Sequence, residues 1–190
     1  NRYHKGNAMT VEEILTNYSK LGTEIIEAIY TDNYLSIGGT ESTELLAELA
    51  GVTSSSWVLD VGSGVGGPSL HLAATYGCRV TGLDLVAPNV QEANERAKAR
   101  GLDLLAAFET GDALNMPFED NNFDIVWGQD AWCHMPDKEK LIDEVMRVLA
   151  PGGVVAFTDW IETGAIEDNE RSELLSAMAA PNIARIDDYR

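Results

Sequence analysis

Residues 58–67 read VLDVGSGVGG, and this stretch decides the fold class. A short apolar run leads into four glycines within six residues, and a helical stretch follows. Glycine reaches positive φ at low cost and lets backbone amides approach a ligand closely. The pattern therefore predicts a buried strand, a glycine turn and a helix that starts at a ligand site, although a purely structural turn is also compatible with it.

The spacing of these glycines fits two patterns. Gly62, Gly64 and Gly67 form the dinucleotide pattern G-x-G-x-x-G, whereas Gly62, Gly64 and Gly66 form G-x-G-x-G. Asp84 ends the next apolar run, 84 − 62 = 22 residues beyond the first glycine, where an acidic side chain can accept hydrogen bonds from ribose hydroxyls. An isolated aspartate at a strand end is usually only solvated, but this paired spacing favours a ligand site.

Apolar runs and helical stretches alternate from residue 57 onward. The predicted strands lie at 57–59, 80–83, 104–108, 125–127 and 154–157, and the predicted helices at 69–76, 87–100 and 138–149. Near-continuous apolar strands joined by helices predict a parallel sheet covered on both faces. Because such crossovers are right-handed, we expect an α/β fold with a doubly wound, mostly parallel sheet.

Helical segments flank this core. Thr10 and Glu13 form a T-x-x-E capping box that predicts a helix through the following apolar positions. The Gly38-Gly39 pair then interrupts the chain before a short helix at 43–50. We expect three parts: a helical cap or lid over residues 1–51, a cofactor-binding core over 52–160, and an acidic, helical C-terminal segment over 161–190.

The composition limits the partners of the chain. Its 190 residues carry 13 basic and 31 acidic side chains, and the formal net charge of −18 opposes binding to nucleic acid or to an anionic membrane surface. The longest apolar run, at 104–108, is far shorter than the ~18 residues that a membrane span needs. Cys78 and Cys133 form no CxxC pair, which fits a reducing cytoplasm, and no ligand spacing predicts a metal site.

Further motifs follow the glycine turn in a fixed order. Asp60 precedes the turn, Gly111-Asp112 follows the third predicted strand, and Pro151-Gly152-Gly153 precedes the fifth. With these motifs, residues 57–159 resemble the class I S-adenosylmethionine-dependent methyltransferases. The resemblance implies S-adenosyl-L-methionine as the cofactor, Asp84 as the ribose-binding acid and Asp112 as the acid that contacts adenine. The glycine-rich motif of that family matches the stretch that contains Asp60, Gly62, Gly64 and Gly66.

The carboxyl end of the fourth predicted strand is where a parallel sheet places catalytic groups. The chain there reads GQDAWCHMP, residues 128–136. Asp130 and His134 lie four residues apart and would face a common pocket if the turn is helical. An imidazole takes up a proton near neutral pH, and Asp130 can orient it or pair with a cationic amine. The alternative is that both side chains only stabilise the loop.

Three other side chains are expected to have structural roles. Trp132 is expected in the core or the pocket wall, with a cation–π contact as the alternative. Cys133 is expected to pack, and His71 is expected at the surface of the helix that follows the glycine turn.

Two groups of N-methyltransferases are similar to this chain. Residues 129–131, His134 and residues 136–138 are similar to sarcosine/dimethylglycine N-methyltransferases, and residues 17–18 and 33–39 to phosphoethanolamine N-methyltransferases. In the second group a tyrosine matching Tyr18 closes over the active site, and an Asp/His pair matching Asp130 and His134 handles the amine. A core position on an apolar helix stripe is the alternative for Tyr18. The cofactor contacts that this group implies here are Leu35, Ser36, Gly62, Asp84, Leu85, Asp112, Ala113 and Gln129.

The chain departs from the phosphoethanolamine group at its phosphate ligands. That group places Arg and Tyr ligands in a region that here reads AAPN, residues 179–182, and Trp160 stands where a tyrosine is expected. A phosphate without these donors is poorly paired, which argues against phosphoethanolamine as the acceptor.

The number of predicted strands also departs from the family. Class I methyltransferases carry seven strands, and five are predicted here. The resemblance therefore implies a shortened chain whose fifth strand has an exposed edge, and such an edge predicts a homodimer or reduced stability.

These observations predict an enzyme that transfers a methyl group from S-adenosyl-L-methionine to a small molecule, with an amine nitrogen favoured. The reaction would be an in-line displacement in which Asp130 and His134 orient and deprotonate the acceptor. The alternatives are C- or O-methylation of a quinone, sterol or secondary metabolite, a nicotinamide-dependent dehydrogenase, and a non-catalytic cofactor-binding module.

Overall fold

A five-stranded parallel sheet forms the centre of the fold. The computed structural model describes residues 18, 22, 23, 25, 27, 34–178, 180, 181 and 183–189. Its strands are β1 (Trp57–Val61), β2 (Arg79–Asp84), β3 (Ala106–Thr110), β4 (Phe123–Gln129) and β5 (Leu149–Thr158). They lie in the order β3-β2-β1-β4-β5, and every neighbouring pair is parallel. The predicted fold class is confirmed, and the strand order changes direction between β1 and β4.

The helices whose ranges the structure gives are α1 (Gly39–Ala50), α2 (Gly67–Tyr76), α3 (Ala87–Ala99), α4 (Lys138–Val148) and α5 (Asp168–Met178), with 3₁₀ turns at Trp132–His134 and Ile186–Tyr189. Helices α2, α3 and α4 connect strands, whereas residues 111–122 join β3 to β4 without a helix. Pro68 lies in the first turn of α2, where its missing N–H is not needed by the helix. Asp137 caps α4, because its side chain accepts a hydrogen bond from the backbone N–H of Lys140.

Helices cover both faces of the sheet. Successive residues of a strand face opposite sides, so Val58 and Leu59 of β1 belong to different clusters of the core. The cluster around Val58 includes Ala47, Leu70 and Val90 from α1, α2 and α3. The cluster around Leu59 includes Leu141, Val145 and Val148 from α4. This is the doubly wound arrangement that the sequence predicts.

Several element boundaries differ from the sequence prediction, most clearly those of β3, α1 and β5. β3 covers Ala106–Thr110 instead of residues 104–108, and the Leu104 side chain is 92% exposed. The apolar run therefore continues into the turn ahead of the strand, and hydrophobicity alone misplaces the strand. α1 begins at Gly39 instead of residue 43, because Gly38 adopts a φ of 86° and can precede the helix directly.

The Pro151-Gly152-Gly153 turn lies within β5 instead of ahead of it. Phe123 of β4 pairs with Leu149, and the pairing resumes with Ile125 opposite Val154, so the turn is a bulge in β5. Gly152 has a φ of 82°, which explains the glycine at this point. Because the motif forms a bulge, β5 starts earlier than the sequence predicts.

Beyond β5 the described chain folds back beside itself. Ile161 forms a parallel bridge with Ala184, and the buried carboxylate of Glu162 pairs with Arg171 and Arg185. β5 is the last strand at its side of the sheet over the described residues. Dimerisation through this edge and the three-part division of the chain stay predictions.

The helix expected after Thr10 lies almost entirely outside the described residues. In the part of the chain that is described, no helix is long and apolar enough to cross a membrane.

Gly128 of β4 leaves room for the side chain of Trp132. A Cβ at Gly128 would lie 2.0 Å from the indole Nε1, and the fully buried indole stacks on Phe157 with ring centroids 4.4 Å apart. Gly128→Ala should therefore displace the indole and lower the free energy of unfolding by about 1–3 kcal/mol. Urea denaturation followed by tryptophan fluorescence measures the change. Gly164→Ala is the control, since nothing lies within 4 Å of its added Cβ; equal losses in both variants would contradict the packing argument.

Candidate active site

A cavity opens at the carboxyl ends of the strands, across the point where the strand order changes direction. It encloses about 940 Å³ of unfilled space, its mouth included. The loops after β1, β2, β3 and β4 line it, together with Tyr18, Leu35 and Ser36 from the N-terminal segment. Ligands of open α/β sheets bind at this position.

The glycine turn after β1 forms one wall of the cavity. The backbone N–H groups of Gly62 and Ser63 donate to the carbonyl oxygen of Leu83, at 2.8 and 3.1 Å. Asp84 accepts the N–H of Gly64 on one carboxylate oxygen and the N–H of Val86 on the other, both at 2.8 Å. These bonds join the turn to the end of β2 and hold its backbone in one conformation.

Two glycines of this turn also allow close contact with other segments. Gly62 has a φ of 83°, and a Cβ there would lie 2.4 Å from the Cβ of Ala131 in the loop after β4. Gly64 has a φ of 52°, and its Cβ would lie 2.9 Å from Leu35. A larger residue at either position would push away a neighbouring wall of the cavity.

Asp60 lies beneath the glycine turn and is 1% exposed. The Ser69 hydroxyl donates to its carboxylate at 2.6 Å. Burial raises the pKa of Asp60 to about 7, because the charged form loses its hydration; the Ser69 hydrogen bond lowers it and the nearby Asp84 raises it. Asp60 lines the cavity, so a cationic ligand there would favour its ionised form.

Asp130 connects three segments at the end of β4. Its φ of 53° is in the left-handed region, which aspartate tolerates better than most residues. Its carboxylate accepts the backbone N–H of Ile37 at 3.0 Å and the Thr158 hydroxyl at 2.7 Å. The side chain thus joins the N-terminal segment and β5 to the loop that carries His134.

His134 meets Tyr18 at the cavity wall. The Tyr18 hydroxyl lies 2.7 Å from His134 Nε2, with the two rings edge to face. Contacts with α3 hold the N-terminal segment here: the Thr23 hydroxyl donates to Asn89 at 3.2 Å, and Glu27 pairs with Arg96 at two points, 2.5 and 3.0 Å. The phenol and the imidazole therefore form a hydrogen-bonded pair that faces the cavity.

Trp132 and Cys133 have structural roles. The Trp132 indole is buried and donates from Nε1 to the carbonyl oxygen of Val61 at 3.2 Å, so it belongs to the core. Cys133 is buried, which raises its pKa to about 12 and keeps the thiol protonated. His71 contacts Glu44 at 3.1 Å, outside the cavity.

The cavity brings together most of the residues that the sequence predicts. Its lining includes Tyr18, Leu35, Ser36, Asp60, Gly62, Gly64, Asp84, Leu85, Asp112, Ala113, Gln129, Asp130 and His134. Gly66 is not part of that lining; it precedes α2 with a φ of 84°, and a Cβ there would lie 2.7 Å from Phe108. Sequence reasoning missed Asn89, Ala131 and Met135. Ala131 lies in the stretch 129–131 already singled out by resemblance, no motif marks Met135, and the position of Asn89 in the first turn of the helix after Asp84 is a signal that could have indicated it.

Several buried polar atoms of the lining have no partner among the described residues. They are Ser36 Oγ, Ser63 Oγ and Gln129 Nε2. The described lining contains four aspartates and one histidine, and neither lysine nor arginine. Within the described chain, no group of three His, Cys, Asp or Glu side chains could hold a metal ion. The cavity is therefore suited to a polar ligand that carries positive charge.

The raised pKa of Asp60 predicts how stability depends on pH. An aspartate in the unfolded chain titrates near ~3.9, so between about pH 4 and 7 the folded protein keeps a proton that the unfolded chain releases. The free energy of unfolding should fall with rising pH by up to about 1.4 kcal/mol per unit from this group. Asp60→Asn has no such proton, so its stability relative to the wild type should rise from pH 5 to 7 and level off above 8. Urea denaturation at each pH measures this difference, with Asp103→Asn at the surface as the control; a difference that does not change with pH would contradict it.

A comparison with protein-family models identifies the core of the chain. Residues 59–157 match the model of the methyltransferase domain, and this region runs from β1 to the end of β5. It contains the glycine turn and the loops after β2, β3 and β4.

Curated relatives and solved structures agree with this match. The chain is 35% identical over 154 residues to a glycine/sarcosine/dimethylglycine N-methyltransferase of Actinopolyspora halophila, covering 80% of this chain and 27% of the relative. It is 44% identical over 103 residues to the chloroplastic tocopherol O-methyltransferase of Arabidopsis thaliana, covering 54% and 30%. A phosphoethanolamine N-methyltransferase of Haemonchus contortus, solved with phosphomonomethylethanolamine and S-adenosylhomocysteine, superposes with a TM-score of 0.84 at 28% identity, covering 92% of this chain and 40% of that one.

The chain thus spans well under two thirds of the length of these relatives. The resemblance to methyltransferases and the fold class are both confirmed, since the matched region holds the sheet and the loops that line the cavity. This chain belongs to the methyltransferase domain family.

Proposed function

We propose that this chain binds S-adenosyl-L-methionine in the cavity and transfers its methyl group to the nitrogen of a small amine. The observation that carries the proposal is the pairing of Tyr18 with His134, 2.7 Å apart, on the wall of a cavity formed by the glycine turn and the end of β4. A group that can take up a proton therefore faces the cofactor site.

The residues of the cavity fit the cofactor. Asp84 ends β2 and Asp112 follows the neighbouring strand β3, where the ribose hydroxyls and the adenine of an adenosine group can be bound. The unpartnered hydroxyls of Ser36 and Ser63 are available to the polar methionyl end. A methylsulfonium is cationic, and the acidic lining favours it over the neutral thioether that remains after methyl transfer. When bound, this cofactor supplies the activated methyl group.

An amine acceptor must lose a proton to become a nucleophile. At neutral pH most aliphatic amines are protonated, so methyl transfer needs a group that accepts a proton beside the acceptor nitrogen. The His134 imidazole can hold that proton, and the Tyr18 hydroxyl bonded to Nε2 limits its orientation. This makes Tyr18 and His134 the catalytic pair of the proposal.

Asp130 has a structural contact set of its own beside its predicted pairing with His134. Its two carboxylate oxygens accept hydrogen bonds from the Ile37 N–H and the Thr158 hydroxyl, and its side chain lines the cavity. We propose that it positions the loop of His134 and favours a cationic amine nearby, while Tyr18 contacts the imidazole.

The charges of the lining favour an acceptor without phosphate. Phosphate groups in proteins are usually bound by arginine or lysine, and the described lining holds neither. A small amine or amino acid, as in the glycine/sarcosine/dimethylglycine relative, fits better than a phosphobase. Methylation of oxygen or carbon is the second candidate, because the tocopherol O-methyltransferase shares 44% identity over its matched region.

Titration calorimetry tests the cofactor class. We expect the wild type to bind S-adenosyl-L-methionine with micromolar affinity and NADH not at all. Gly64→Ala should weaken binding by at least about tenfold, because its Cβ would meet Leu35 at 2.9 Å and distort the turn that binds the ligand. Gly101→Ala is the control, since it also has positive φ, 67°, but no neighbour within 4 Å. Tight binding of NADH would favour a dehydrogenase, and binding of neither ligand would contradict the proposal.

Substitution of the pair tests the chemistry. His134→Ala and Tyr18→Phe should lower kcat for an amine acceptor by about 10²–10⁴-fold and about tenfold, respectively, while the Kd for S-adenosyl-L-methionine changes little. His71→Ala is the matched control, because His71 lies outside the cavity. Full activity of His134→Ala would mean that Tyr18 and His134 have only a structural role. It would also favour an acceptor that needs no proton removal.

The remaining partners follow from the same features. We propose a cytoplasmic protein that acts on small molecules and not on nucleic acid, because its net charge is −18. Homodimerisation through the β5 edge is part of the proposal, and light scattering measures it.

A further inference from the structure

Thr43 of α1 contacts Gln129, a residue of the cavity lining. Thr43 is fully buried, and its hydroxyl oxygen lies 3.1 Å from the carbonyl oxygen of Gly39 and 3.0 Å from Oε1 of Gln129. Gln129 is the last residue of β4, is 6% exposed and lines the cavity. The side-chain amide of Gln129 is therefore held by Thr43 at one end, and its other end is buried without a partner among the described residues.

The number of donors and acceptors around Thr43 indicates whether Oε1 or Nε2 of Gln129 bonds to Thr43. A hydroxyl has one proton, so with Oε1 towards Thr43 it cannot serve both oxygen acceptors at once. Nε2 of Gln129 is then buried without a partner among the described residues. If the amide is rotated by 180°, Nε2 donates to Thr43 and the Thr43 hydroxyl donates to Gly39, so each of these donors has an acceptor. In proteins, buried N–H groups without a hydrogen-bond partner are rarer than buried carbonyl oxygens without one. The rotated amide is therefore favoured.

The rotated amide presents a carbonyl oxygen to the cavity. The methionyl end of the proposed cofactor carries an ammonium group, which only donates hydrogen bonds, and a carboxylate, which only accepts them. The hydroxyls of Ser36 and Ser63 can serve the carboxylate, whereas the ammonium group needs acceptors. Gln129 precedes Asp130 in the loop of His134, so it lies at the reacting end of the cavity, away from the ribose acid Asp84 on β2.

We infer that Thr43 is a positioning residue that holds the Gln129 amide with its oxygen towards the cavity, as an acceptor for the α-ammonium group of the cofactor. The inference rests on the proposed cofactor. It adds that the site distinguishes ligands by their α-ammonium group, and that Thr43 of α1 contributes to this selectivity without contacting the ligand. Thr43 lies in the segment that precedes β1, outside the region matched by the family model.

Calorimetry with three probes tests this inference without turnover. The probes are S-adenosylhomocysteine, an analogue in which hydrogen replaces the α-ammonium group, and an analogue in which hydrogen replaces the carboxylate. In the wild type, loss of the ammonium group should weaken binding by about tenfold or more, as expected for a hydrogen bond to a charged group. Thr43→Val, which is similar in shape but cannot bond the amide, should reduce this factor to about threefold or less.

Two further variants separate positioning from stability. Thr43→Ser keeps the hydroxyl and should keep the wild-type factor, and Gln129→Met should lose the factor even if Thr43→Val does not fold. Thermal unfolding of each ligand-free variant checks that it is folded. An unchanged factor in folded Thr43→Val overturns the inference, and so does an unchanged factor in Gln129→Met. A further result would also overturn it: the variants bind S-adenosylhomocysteine no better than the analogue without carboxylate, while the effect of the ammonium group is unchanged. That result would mean that Nε2 faces the cavity. Failure of the proposed function is a different result, because the wild type would then bind none of the adenosyl ligands.

Discussion

The carboxylate of Asp84 is the contact on which the arrangement of the site depends. It accepts one backbone N–H from the glycine turn after β1 and another from the start of α3, each at 2.8 Å. A glycine turn in water has many conformations, and these two partly buried hydrogen bonds select one of them. The rest of the cavity is built against that turn, because Ala131 and Leu35 both pack where Gly62 and Gly64 lack a side chain.

Asp130 has a comparable role at the end of β4. Its positive φ turns the chain sharply out of the strand, and its carboxylate binds segments from both sides, Ile37 before the core and Thr158 in β5. Strained backbone at a site is maintained only where the surroundings hold it in several directions. The carboxylates of Asp84 and Asp130 thus accept hydrogen bonds from backbone N–H groups and from the Thr158 hydroxyl, and both side chains line the cavity.

The N-terminal segment completes the site from outside the sheet. Tyr18 reaches His134, Leu35 and Ser36 cover the glycine turn, and Thr43 holds Gln129. Among its described residues, Thr23 and Glu27 attach it to α3 through polar contacts. Part of the cavity wall is thus supplied by residues that precede β1 in the chain.

Local sequence patterns were enough to predict the sheet and helices of this protein. Apolar runs alternating with helical stretches predict the doubly wound sheet, and the glycines with Asp84 predict the turn at its ligand edge, because strand, helix and turn preferences depend on neighbouring residues. The limits of such patterns are visible at Leu104, which is apolar and yet 92% exposed, and at Pro151-Gly152-Gly153, which forms a bulge where a simple loop was expected.

Contacts between distant residues needed the folded chain. Tyr18 and His134 are 116 residues apart, and Thr43 and Gln129 are 86 apart, so no spacing in the sequence relates them. Asp130 lies before the short 3₁₀ turn in a left-handed conformation, and its bonds with Ile37 and Thr158 could not be predicted from the local sequence; its pairing with His134 stays a prediction. Which polar group meets which depends on packing across the whole fold, and only the tertiary arrangement determines that.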